Sequence, residues 1–166
     1  MFLFCCYNIN GQELLIGDST IVEAIKKQTS KIYNEKDKTI FILTKRQLRS
    51  IKTYGTNIIA HSKNDTINRV VAISMTKKGQ LSTEWYFTKN KLIYVYESFE
   101  FFEDKKEMSN WKNFKGFCAW ESRYYFVDNQ MKYQKHQGKN KNNKNNVLKD
   151  GRALLNYITQ QQNEEK

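Results

Sequence analysis

The chain has no proline in 166 residues and only seven glycines, isolated at 11, 17, 55, 79, 116, 138 and 151. No glycine-rich run exists to cradle a phosphate, which argues against the common nucleotide-binding enzymes. Turns fall instead to asparagine, aspartate and lysine. Cysteine is scarce too: Cys5 and Cys6 are neighbours, Cys118 stands alone, and there is no CxxC. A bridge between adjacent cysteines is strained and one thiol would be left over, so no disulfide framework is expected. The two histidines, His61 and His136, belong to no HExxH or Cys-His spacing, and neither a metal nor a cofactor is expected. No apolar run is long enough to span a membrane as a helix.

What is present is basic and aromatic. Lysine and arginine number 28 against 17 acidic residues, a formal net charge of +11, which attracts nucleic acid, anionic membranes and acidic protein surfaces. The length suits one domain with a core of its own. The opening "MFLFCCYNINGQE" is a short apolar run followed by a polar segment, and reads as the end of an export signal whose positively charged start is missing. Its "NGQE" junction resembles the ends of secretion signals in proteins of the Bacteroidetes group. On this reading residues 1–12 are removed and the protein is exported or periplasmic, in a bacterial cell envelope. The alternative is a first strand, Phe2 to Tyr7, in a cytoplasmic protein.

Hydrophobic periodicity predicts a helix over 19–34, with Ile21, Val22, Ile25, Ile32 and Tyr33 on its apolar face. Thr39 to Leu43 reads as a strand, and "TKRQLRSI" after it as a short helix or a further strand. "GTNIIAHS" and "INRVVAISMT" flank KNDT as a strand pair, and KKGQ and TKNK feed two more strands. "TEWYFTKNKLIYVYES" then recurs 39 residues on as "SRYYFVDNQMKYQKHQ": Trp85 matches Tyr124, Phe87 matches Phe126, Leu92 matches Met131 and Tyr94 matches Tyr133, with an asparagine in each turn. One hairpin geometry is thus used twice, the second copy nearer an edge because lysines occupy it. Trp111, Phe114, Phe117 and Trp120 recur by threes, which suits a short helix or an aromatic loop. Residues 13–137 form the sheet-rich domain and the Asn/Lys-rich 138–149 a flexible loop. Residues 150–166 give a C-terminal helix of the same domain, starting near Gly151 with Asp150 as its cap. The expected fold is α+β: an antiparallel β-meander with two similar hairpins, flanked by N-terminal and C-terminal helices.

No catalytic constellation emerges. Glu84, Glu97, Glu100, Glu103 and Glu121 would serve a glycosidase only if two faced one cleft. A zinc site would need His61, His136 and an acid such as Glu97 to converge. A small hydrolase with a site assembled from distant residues is accordingly the second alternative. The first is a single-stranded nucleic-acid-binding module using Arg123, Tyr125, Lys132, Lys135, Lys139 and Lys141, with rings for stacking and lysines for phosphate. The favoured expectation is a non-catalytic exported protein that binds another macromolecule, inhibitor-like or immunity-like, its partner a protein with an acidic surface. Its candidate contacts are Tyr86, Arg123, Tyr125, Lys132 and Gln134, placed by strand alternation on the less apolar face.

Overall fold

The structure is a computed structural model, and it describes residues 19–43, 57–101, 117–138 and 144–164. Helix α1 (Ser19–Tyr33) is followed by strands β1 (Thr39–Ile42), β2 (Asn57–Lys63), β3 (Thr66–Met75), β4 (Gly79–Thr88), β5 (Lys91–Phe101), β6 (Phe117–Val127) and β7 (Gln130–Gly138), then by helix α2 (Lys144–Glu164). The strands form one antiparallel sheet in the order β1-β2-β3-β4-β5-β6-β7. This is the expected α+β meander with a helix at each end. The segment before Ser19, the run after Leu43 and the aromatics Trp111 and Phe114 lie outside the described residues. Phe117 and Trp120 belong to β6.

Three turns set the geometry. Asn64 and Asp65 (φ 49° and 61°), Lys89 and Asn90 (50° and 61°), and Asp128 and Asn129 (49° and 61°) all adopt left-handed backbone, the signature of two-residue type I′ hairpins. Each hairpin then takes one extra residue on its second strand. Pairing passes from Ser62↔Ile67 to His61↔Arg69, from Phe87↔Leu92 to Tyr86↔Tyr94, and from Phe126↔Met131 to Tyr125↔Tyr133. Asn68, Ile93 and Lys132 are therefore the bulged residues. The hairpin is used three times, not twice. β2–β3 is the copy that side-chain matching misses, because His61 and Arg69 stand where the others carry tyrosines.

Alternation sends successive side chains to opposite faces. On one face Ile58, Val70, Trp85, Phe87, Leu92, Val95, Tyr124 and Phe126 pack with Val147, Leu154, Leu155 and Ile158 of α2 as the main core. On the other, Val22 and Ile25 of α1 pack with Tyr125, joined by Ile21, Tyr94 and Tyr133. α1 ends where the Asn34 side-chain amide donates to the Ser30 carbonyl at 2.9 Å. α2 begins at Lys144, earlier than a cap at Asp150 would place it. The reason is Val147: it is buried, and its carbonyl accepts a hydrogen bond of 3.0 Å from Trp85 Nε1.

Gly151 sits over that indole, and a Cβ there would lie 2.4 Å from Trp85 Cδ1. Gly→Ala inside a helix usually gains about 1 kcal/mol. Here the sign should reverse: Gly151→Ala is expected to lower unfolding stability by about 1–3 kcal/mol through overpacking, read as a lower urea midpoint at unchanged m-value.

Candidate functional site

The register builds the α1 face as rows running across the strands. The first row is Ile40, His61, Arg69, Tyr86, Tyr94, Tyr125 and Tyr133, one residue from each strand. Its four tyrosines are consecutive, with ring centroids 5.6, 5.0 and 5.5 Å apart. The Arg69 guanidinium continues the row, 4.9 Å from the Tyr33 ring of α1 and 5.6 Å from the Tyr86 ring, within the range of cation–π attraction.

Tyr86 is 6% exposed and Tyr125 2%. The type I′ turns and their bulges put both on the face that receives α1's apolar stripe, where a tyrosine ring is useful apolar surface. As the chain is folded they present no ring to a partner or to a base. Burial raises their phenols accordingly, Tyr125 to about 12 and Tyr94 well above its ordinary value.

Beside the tyrosine row run Val71, Glu84, Tyr96, Arg123 and Lys135, then Ile73, Ser82, Ser98, Glu121 and Gln137. Two arginine–glutamate–tyrosine clusters form here. Arg69 donates from Nε (3.0 Å) and Nη2 (2.7 Å) to Glu84 Oε2, which also accepts from the Tyr86 hydroxyl at 2.7 Å. Arg123 pairs with Glu121 through both carboxylate oxygens, and the Tyr96 hydroxyl donates to Glu121 Oε2 at 3.1 Å. The Arg123 charge is thus matched within the sheet by a buried carboxylate, which leaves little of it for a phosphate.

The other candidates separate. Gln134 pairs with Tyr124 and so faces α2, its Oε1 buried without a hydrogen bond. Lys132, the bulged residue, is exposed with Nζ 2.9 Å from Gln130 Oε1. Lys135 is exposed at the outer end of the Arg123 row. Lys139 and Lys141, like Glu103, lie outside the described residues. Of the expected contacts, Tyr86, Arg123 and Tyr125 share the α1 face.

The histidines lie on opposite faces of the sheet. His61 is on the α1 face of β2, whereas His136 closes a row on the α2 face: Ile58, Ala72, Thr83, Glu97, Ser122, His136. They cannot share one ion, and among the described residues no three His, Cys, Asp or Glu cluster within metal range. That row is nevertheless polar. Ser122 Oγ lies 2.8 Å from His136 Nδ1, and His136 Nε2 lies 2.5 Å from the Gly138 carbonyl. A carbonyl only accepts, so Nε2 carries the proton and, in the neutral ring, Nδ1 accepts from Ser122. Tyr124 donates to Glu97 Oε2 at 3.1 Å. The serine stands between carboxylate and histidine, and it is 2% exposed. The histidine is not its relay to Glu97, and the hydroxyl does not meet solvent. Glu84 and Glu121 share a face, but each is engaged by its own arginine, and Glu97 is on the other side.

Arg69 is the functional-looking residue that sequence reading passed over. A lone arginine inside the apolar "INRVVAIS" was the available signal. Comparison with family models, with curated proteins and with solved structures finds no match to this chain.

The Arg69–Glu84 side chains are 8% and 14% exposed. Removing one partner from such a pair strands the other charge, so Arg69→Met should cost about 3 kcal/mol while Arg69→Met with Glu84→Gln recovers much of it; equilibrium denaturation of the two variants decides this. His61 is half-buried, and burial, then Arg69 and Lys38, outweigh Glu84 and lower its pKa from 6.5 to about 4. The unfolded chain therefore binds a proton that the folded chain refuses between these values. Stability should fall as pH drops from 6.5 towards 4, and thermal unfolding of His61→Gln should show a shallower slope in that window.

Proposed function

We propose that the protein is a non-catalytic binding domain, exported or periplasmic, that contacts an acidic protein partner in the manner of an inhibitor or immunity protein. The observation that carries this reading is where charge is matched and where it is not. Inside the sheet, Arg69 and Arg123 are neutralised by Glu84 and Glu121, and the Ser122 hydroxyl is held by His136. At the β7 edge, Lys132 and Lys135 are exposed beside Met131, itself 43% exposed. Exposed lysines along one edge, with an exposed apolar side chain at its turn end, suit a protein surface of opposite charge. No described helix is long and apolar enough to cross a membrane.

Single-stranded nucleic acid fits less well. Sequence-tolerant binding of unpaired bases rests on exposed rings, and Tyr86 and Tyr125 are under α1. The discriminating variant is Lys132→Glu with Lys135→Glu, both exposed, so its thermal midpoint should match the parent. Immobilised full-length parent should retain an acidic protein from cell-envelope extract, and the variant should retain at least about tenfold less. Equal retention by both proteins sinks the reading. So does salt-dependent micromolar binding of single-stranded DNA or RNA that the same variant loses.

A further inference from the structure

The two edges of the sheet differ, and the β1 edge has a chemistry of its own. The Leu43 N–H donates to the Ile58 carbonyl at 3.0 Å, and residues 39 to 42 keep the same register against β2. In an antiparallel pair, residues that exchange hydrogen bonds alternate with residues that do not. Thr39, Phe41 and Leu43 therefore spend their backbone groups on β2, and the N–H and C=O groups of Ile40 and Ile42 point away from the sheet. The side chains of these same two residues stand on the α1 face, 56% and 62% exposed. Phe41 and Leu43, facing the other way, pack into the main core, which holds the strand in place.

We propose that β1 is a strand-addition site, taking an extended, acidic segment of a partner protein as an eighth strand antiparallel or parallel to Thr39–Ile42. Residues of an added strand that bond to Ile40 and Ile42 also place their side chains on the α1 face, so the segment should carry apolar β-branched residues at alternate positions. Acidity follows from charge. The chain as a whole carries a formal net charge of +11, which favours an acidic segment over a basic one. A second copy of this chain is a poorer occupant, because each brings a charge of +11. The β7 edge is the worse template, since a bulge at Lys132 and an exposed Lys135 are devices that discourage pairing. The choice of an acidic partner rests on the function proposed above, but the location of the site does not.

The test is amide NMR of the full chain titrated with a capped peptide, Glu-Glu-Val-Thr-Val-Thr-Glu-Glu. Shifts and slowed exchange are expected at the Ile40 and Ile42 amides, with affinity in the millimolar range or tighter that weakens at least about tenfold at high salt. Ile42→Pro deletes one outward N–H without touching the ladder to β2, and should abolish binding. Ile40→Thr with Ile42→Thr keeps the backbone and should weaken it, which covers the case in which the proline variant misfolds. Shifts confined to Lys132 and Lys135 would overturn the β1 site and leave the acidic-partner reading standing. Equal binding of the peptide with lysine in place of glutamate would overturn the partner chemistry and keep the site. No shift up to the peptide's solubility limit would overturn the site outright, and self-association of the chain through Ile40 and Ile42 would overturn the acidic partner as its occupant.

Discussion

Everything on either face of this sheet depends on register, and register is locked by three pairs of left-handed residues. A slip of one position exchanges the faces: Trp85 would leave its place under Gly151, and Tyr86 would leave α1. Left-handed backbone is costly for most side chains and least so for asparagine, aspartate and glycine. In a chain with no proline and few glycines, five of the six positions are Asn or Asp, with Lys89 the exception. The bulge after each turn then adds local twist at the same place in all three hairpins. Its repetition brings His61, Tyr86 and Tyr125 into one row with Arg69, Tyr94 and Tyr133.

Much of this was legible before any coordinates. Strand alternation correctly sets Trp85 and Phe87 against Glu84 and Tyr86, because period two is a local property of the backbone. The meander follows from turns too short to allow crossovers. What stayed hidden is what depends on neighbours across strands. The β2–β3 hairpin shares its turn and its bulge with the others but not its residue types, so matching aromatic letters passes over it. The start of α2 was displaced for a similar reason: local capping favours Asp150, and a tertiary contact, the Trp85 indole on the Val147 carbonyl, demands helix earlier.

The tyrosines show why composition misleads about function. Counted along the chain they look like a contact surface, and interleaved with lysines they look like a stacking platform. Folded, Tyr94, Tyr125 and Tyr133 pack with Ile21, Val22 and Ile25 of α1, and buried Tyr86 continues their row against Tyr94. Their neighbours obey the same economy of space. Burying Arg69 and Arg123 is tolerable only because Glu84 and Glu121 sit within hydrogen-bonding reach and the Tyr86 and Tyr96 hydroxyls fill remaining acceptor positions. Arg69–Glu84 links β3 to β4 and Tyr96–Glu121 links β5 to β6, and such pairing removes from the surface groups whose residue types suggest binding.

Any partner would therefore have to be met at the perimeter. Among the described residues, with a helix against each face and strands in simple sequential order, the perimeter consists of two edges, the hairpin tips and the outer faces of the helices. The tips at Lys91 and Asp128 are bridged to one another by an exposed ion pair of 2.6 Å, an interaction worth little in water and easily exchanged for another. The edges are not equivalent. β7 bears a bulge, lysines and glutamines along its length, features that keep a sheet from growing at its edge. β1 is short, in itself a protective device, yet it turns its unspent backbone groups and two isoleucines outward together. Protection by shortness fails only against a segment that also satisfies the surrounding charge. On the strand-addition proposal, a formal charge of +11 favours an acidic segment over a further copy of the protein itself.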